Sequence, residues 1–187
     1  MRHANLRTLE PSILFVGSLF NRRHIPELIH AFAHVASAMP EATLVLVGDN
    51  RTRPHLDPLT IARDAGVADR VQWRAYVGDA ELDALYDAAR VFAFLSDYEG
   101  FAMTPLEALA HGVPSVLLDT PVSREVYGDA ARLVDATPAH IAAGLLELIE
   151  DETARAAVLA GGRRVLERYR WGETARRVRT AIEAAAR

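Results

Sequence analysis

The chain has 187 residues, 50% of them hydrophobic and 25% charged, with a formal net charge of -4. That length suits one domain with a sizeable core, and the hydrophobic share excludes a disordered chain. No apolar run approaches the ~18 residues of a membrane span, no cysteine supplies a disulfide or a thiol nucleophile, and the net negative charge argues against a nucleic-acid partner.

Residues 12–17 form a short apolar run closed by glycine and predict a buried strand. After a polar loop, residues 26–38 repeat apolar side chains at helical spacing, with Pro26 and Glu27 suited to a helix start. Residues 43–48 predict a second buried strand ending at glycine, and a helix is expected over 54–65, stopped by Gly66. Residues 70–73 make a short third strand, 80–89 a helix and 91–95 a fourth strand. A helix over 105–111, a strand over 114–118, a helical turn at 123–126 and a last strand near 132–134 follow. From Pro138 onward the chain reads as three helical pieces, broken at Asp151 and at Trp171-Gly172. Continuously apolar strands alternating with helices indicate a parallel sheet covered on both faces. The expected fold is a single doubly wound, Rossmann-like α/β domain with six parallel strands and C-terminal helices, spanning 1–187. Ligands of such sheets bind beyond the carboxyl ends of the strands.

All 21 basic residues are arginine. A phosphate loop ending in Gly-Lys, a lysine Schiff base and a lysine general base are therefore excluded. Any bound phosphate must meet arginine or backbone N–H groups. The loop after the first strand carries Arg22 and Arg23 just before a helix N-terminus, which favours an anion; two solvated surface arginines are the alternative. No dinucleotide fingerprint, hydrolase elbow or Asp-x-Asp pair is present. His30 and His34 stand one helical turn apart with no third ligand placed beside them, so they read as surface histidines. The arginines between 163 and 179 read as solvated helix faces.

The loop after the fourth strand is richer. Glu99 precedes Gly100 at the carboxyl end of a strand, where N–H groups of Phe101 and Ala102 would be free to hold phosphate oxygens. Glu107 has two readings. Thr104-Pro105-Leu106-Glu107 has the pattern of a capping box; a carboxylate there would also suit sugar hydroxyls.

The run from Glu99 to Pro114 resembles the Glu–seven residues–Glu motif of retaining glycosyltransferase family 4. Phe15-Val16-Gly17-Ser18, Leu44 to Gly48, Glu81 to Tyr86 and Glu125 to Ala131 are similar to further family signatures, in order. The similarity extends from about Ile13 to Trp171.

The resemblance implies the C-terminal, donor-binding half of a two-domain GT-B glycosyltransferase. The acceptor-binding N-terminal half would lie in the same or a partner chain, and that half could touch a membrane surface. A stand-alone nucleotide-sugar-binding module and a related sugar-nucleotide epimerase are the alternatives; no catalytic acid or base for the latter is visible. It further implies a nucleoside-diphosphate sugar as substrate, no cofactor and no metal. Arg22 and Arg23 would neutralise the diphosphate, with Gly17, Ser18 and Gly48 beside it. Glu99 would face the sugar, and Gly100, Phe101, Ala102 and Met103 would offer backbone N–H groups. Glu107 would bind the ribose, and Ala75, Tyr76 and Val77 would lie by the base. Residues 171–187 resemble the segment that crosses back to the N-terminal domain, with an apolar stripe of Trp171, Ala175, Val178 and Ile182 to dock with.

Three departures stand out: Ser18 where arginine is frequent, Arg23 where lysine is expected, and Ala102 in place of a common glycine. The 17–24 pattern most resembles the mannosyl- and rhamnosyl-transferring branch, which points to a guanosine-linked donor. The N-terminus lacks the apolar core of a secretory signal. A cytoplasmic setting is therefore expected, with the inner membrane face as one location.

Overall fold

A computed structural model describes residues 11–186. Six parallel strands, β1 (Ser12–Val16), β2 (Thr43–Val47), β3 (Val71–Arg74), β4 (Val91–Phe94), β5 (Ser115–Leu118) and β6 (Arg132–Val134), form one sheet in the order β3-β2-β1-β4-β5-β6. Ile13 pairs with both Leu44 and Val91, which fixes the register of the central strands. β1, β2, β4 and β5 are buried along almost their whole length, as their apolar runs require, while the edge strands β3 and β6 are partly exposed.

Eight helices connect and cover the sheet: α1 (Ile25–Ala38), α2 (Pro58–Asp64), α3 (Asp79–Ala88), α4 (Thr104–Ala110), α5 (Pro121–Val126), α6 (Pro138–Glu150), α7 (Glu152–Arg168) and α8 (Trp171–Ala185). The chain steps from β1 to β2 to β3 in one direction, then returns past β1 and builds β4, β5 and β6 in the other. Right-handed crossovers place α1 and α2 on one face and α3 and α4 on the other. α1 packs against α6, and α4 against α7. Buried Leu28, Ile29, Phe32 and Val35 of α1 meet the sheet's Ile13, Phe15 and Leu44 in one core. The reversal leaves a crevice between the ends of β1 and β4, the switch point where ligands enter such sheets.

The strands and most helices lie where the sequence predicts them. The second helix is an exception, beginning at Pro58 rather than Pro54. Asp57 is its N-cap, its side chain accepting from the Leu59 amide, and Pro58 occupies the first turn. Residues 50–56 are instead a closed loop, in which Asn50 accepts from the Thr52 amide and hydroxyl and donates to the Leu56 carbonyl.

The helix α8 buries none of its side chains. Trp171, Val178 and Ile182 stand 80%, 53% and 64% exposed, so the predicted apolar stripe has no partner among the described residues. No helix among the described residues is long and apolar enough to cross a membrane.

The ends of β1 and β2 touch through glycine. Gly48 has φ +140, and a Cβ on it would stand 2.1 Å from the Gly17 carbonyl oxygen. Gly66 has φ +73 with open space around it. Gly48→Ala should therefore destabilise the protein by at least about 2 kcal/mol, combining backbone strain with overpacking. Gly66→Ala should cost only about 1 kcal/mol, from backbone strain alone. Urea unfolding of the two variants measures the difference.

Candidate functional site

Beyond Gly17 the first loop stays in register with the second: the Leu19 amide donates to the Asp49 carbonyl at 2.8 Å, and the Arg51 amide to the Leu19 carbonyl at 2.9 Å. A single 3-10 turn at Asn21–Arg23 then presents the two arginines. A Cβ on Gly17 would stand 2.4 Å from Arg23 Nη1, so the missing side chain is what admits the guanidinium. Arg23 lies 4.8 Å from the Phe94 ring centre. Its Nε and Nη2 donate to Glu99 Oε1 at 3.0 and 2.9 Å, and its Nη1 to the Ser18 carbonyl at 2.9 Å. Arg22 lies over Phe20 at 4.4 Å and donates only through Nε, to the Tyr98 carbonyl at 3.1 Å. Its Nη2 stands 3.8 Å from Glu99 Oε1, and the rest of its five-donor fork has no hydrogen-bond partner among the described residues.

His24 clamps the two loops. Its φ of 47° turns the chain into α1, and its Nε2 stands 2.9 Å from Asp97 Oδ1. The Asp97 amide donates back to the Arg22 carbonyl at 3.0 Å.

The two glutamates of the motif are held in the same way. Glu99 Oε1 accepts from Arg23 and, at 2.9 Å, from the Ser96 hydroxyl, while Oε2 has no partner among the described residues. Glu107 Oε2 accepts from the Tyr86 hydroxyl at 3.0 Å, leaving Oε1 without one. Tyr86 is buried, and its ring stacks on His111 at 5.1 Å. Burial first, and the Glu107 carboxylate second, push the Tyr86 phenol far above its usual range, so it keeps the proton it donates.

The capping-box reading of Glu107 does not hold. The N-cap of α4 is Met103, Thr104 is already helical, and the Thr104 hydroxyl is buried without a partner. The carboxylate turns to Tyr86 instead.

Between the glutamates, the N–H groups of Gly100, Phe101, Ala102 and Met103 make no hydrogen bond among the described residues. Ala102 sits at φ +63, a left-handed conformation that glycine adopts without strain. The Tyr127 hydroxyl donates to its carbonyl, and Phe101 packs edge-on against Tyr169 at 4.8 Å. These contacts hold the loop from beneath.

The remaining predicted residues divide. Ala75 and Tyr76 are exposed at the end of β3, Tyr76 by 84%, whereas the Val77 side chain belongs to the core and only its backbone is offered. Gly48 abuts Gly17, and its carbonyl accepts from the Trp73 indole at 2.9 Å. His30 and His34 are exposed on α1, and no group of three or more His, Asp or Glu among the described residues could hold a metal ion. Sequence reasoning missed Ser96, Tyr86 and Tyr127 as supports of the site. The last two stand in stretches that resembled family signatures, but nothing local in the sequence says where a tyrosine hydroxyl points.

This arrangement can be compared with known proteins. The family described as glycosyl transferases group 1 matches residues 2–165. The chain belongs to that family. It is 30% identical over 173 residues to the O-antigen chain mannosyltransferase B of Escherichia coli, covering 84% of this chain and 42% of that protein. A GDP-mannose-dependent alpha-(1-6)-phosphatidylinositol monomannoside mannosyltransferase of Mycobacterium tuberculosis is also 30% identical over 173 residues, covering 86% and 44%. The chain thus spans less than half the length of these relatives. In three dimensions it superposes on the C-terminal domain of a group 1 glycosyl transferase, LpcC, from Francisella tularensis. The TM-score is 0.73, the identity 23% and the coverage 85% of both chains. The six-stranded parallel sheet is the Rossmann-like fold of GT-B C-terminal domains.

Ala102 gives a test of the loop's strain. A non-glycine residue in the left-handed region costs about 1–2 kcal/mol, and glycine's extra chain entropy returns about half of that. Ala102→Gly should stabilise the protein by about 0.5–1 kcal/mol, measured by urea unfolding.

Proposed function

We propose that the chain is the donor-binding domain of a retaining, metal-independent glycosyltransferase that takes a mannose- or rhamnose-like sugar from a nucleoside diphosphate. The observation that carries this is the row of groups at the switch point. Arg22 with most of its donors without a hydrogen-bond partner, four unbonded amides at 100–103, and two glutamates each holding one oxygen open stand on the loops that follow β1 and β4 and on the first turn of α4. Such donors can take up the charge that develops on a departing diphosphate, which is electrostatic stabilisation without a cation. The open oxygens of Glu99 and Glu107 suit sugar and ribose hydroxyls. Both relatives described above are named mannosyltransferases, one of them GDP-mannose-dependent, which favours a guanosine-linked donor. The uncovered stripe on α8 suits a second, acceptor-binding half, in the same or a partner chain.

The isolated chain should then bind a nucleoside diphosphate in the presence of a chelator, yet transfer no sugar. Calorimetry with GDP, UDP and ADP tests the first point. Sustained transfer to an acceptor by this chain alone would overturn the second. Arg22→Ala should weaken diphosphate binding by one to two decades at unchanged melting temperature, since a charge-assisted hydrogen bond contributes about 1.5–3 kcal/mol. Arg23→Ala should weaken binding and also lower the melting temperature, because it leaves the half-buried Glu99 carboxylate with only the Ser96 hydroxyl and the more distant Arg22 guanidinium at 3.8 Å.

Glu107→Gln should weaken nucleotide binding by about 1 kcal/mol while leaving stability intact, because no cap is lost. Tyr86→Phe should reduce nucleotide affinity in the same direction without touching the nucleotide. Normal affinity in both variants would remove Glu107 from the site.

A further inference from the structure

A roomy cleft lies outside the stretch between the two glutamates. It opens on the β2 side of Arg22, with a volume of about 830 Å³, between the loop after β1 and the loop after β2. Arg22, Arg51, Arg53 and His55 line it, together with Phe20 and Asn50, and no carboxylate does. In a chain of net charge -4 this is a concentrated basic surface.

Hydrogen bonds hold the wall of the cleft in place. The Arg53 amide donates to Asn21 Oδ1 at 2.7 Å, tying the second loop to the first. Thr52 is buried, and its hydroxyl donates to Asn50 Oδ1 at 2.7 Å and accepts from the Leu56 amide at 2.8 Å, closing the loop on itself. Arg51 is steadied by Asp49, whose carboxyl is held below its usual range by the Ser18 hydroxyl and then by Arg51. Arg53 and His55 form no ion pair among the described residues. Arg53 and His55, which have no acidic partner among the described residues, beside Arg51, whose Nε alone is taken by Asp49, fit a phosphate group.

We propose that this cleft is a second anion site, separate from that of the nucleoside diphosphate, which takes a phosphate group on the molecule receiving the sugar. The proposal rests on the donor-binding role given above for the neighbouring crevice. Arg22 is the boundary between the two: its Nε faces Tyr98 on the β4 side, and its side chain lines the cleft on the other.

The test uses the chain as it stands. It is first saturated with whichever nucleoside diphosphate binds, then titrated with phenyl phosphate while the arginine side-chain and backbone N–H resonances are followed by NMR. The expected result is a second binding event that shifts Arg51, Arg53 and His55 while the 100–103 amides stay at their diphosphate-bound positions. Arg53→Gln should weaken it at least tenfold, and the double variant with Arg51→Gln should abolish it, both leaving diphosphate affinity and melting temperature unchanged. Displacement of the phenyl phosphate by the nucleoside diphosphate would overturn the proposal, since the cleft would then be part of the donor site. Absence of any phosphate binding, or binding indifferent to both substitutions, would overturn it as well. If no nucleoside diphosphate binds at all, the donor-binding role fails, and with it the assignment of this cleft to an acceptor. Phosphatidylcholine vesicles containing phosphatidic acid identify the source. Arginine-dependent retention on them supports a lipid-borne phosphate, and binding of phenyl phosphate alone supports a soluble one.

Discussion

Arg23 and Glu99 meet 76 residues apart in sequence, at the place where the sheet reverses its direction of growth. Their pairing depends on an absence, since a side chain on Gly17 would occupy the space the guanidinium fills. Once seated over Phe94, Arg23 anchors the loop after β4 through Glu99, and Ser96 shares the same carboxylate oxygen. The His24–Asp97 contact and the bond from the Asp97 amide to the Arg22 carbonyl join the same two loops. The crevice is thus shaped before anything enters it, which limits the ordering cost of binding.

The two motif glutamates share a design. Each carboxylate commits one oxygen to a protein donor and keeps the other open. For Glu107 that donor is a buried tyrosine which cannot easily lose its proton, so the orientation of the carboxylate is set by the core itself. The strain at Ala102 lies between them, held by Tyr127 below. Departures from regular backbone geometry concentrate where a ligand is expected, as at many binding sites.

The sheet was legible in the sequence because its buried strands β1, β2, β4 and β5 announce themselves as apolar runs, the first two closed by glycine. The α2 start was misplaced because Pro54 and Pro58 send the same signal four residues apart; only Asp57 has the side chain to cap the helix. The site residues on loops were legible as types and positions, yet their partnerships were not. Tyr86 sits at helical spacing among apolar neighbours and reads as core, which its ring is; the direction of its hydroxyl depends on α4 packing nearby. Thr104 and Glu107 match a capping box on paper, but the helix begins one residue too early for it, with Met103 as the cap. Local patterns therefore gave the elements, while contacts between distant loops decided what the elements do.

The α8 stripe has an optical consequence. The chain contains two tryptophans. Trp73 has its indole N–H fixed on the Gly48 carbonyl, and Trp171 stands 80% exposed at the head of α8. An indole in water emits at longer wavelength than one in an apolar setting. Trp171 accordingly carries the red edge of the chain's fluorescence. A surface that covers the stripe would move that emission to the blue and shield it from iodide, while Trp73 stays as an internal reference. The chain is thus labelled by its own sequence at a helix that buries none of its described side chains.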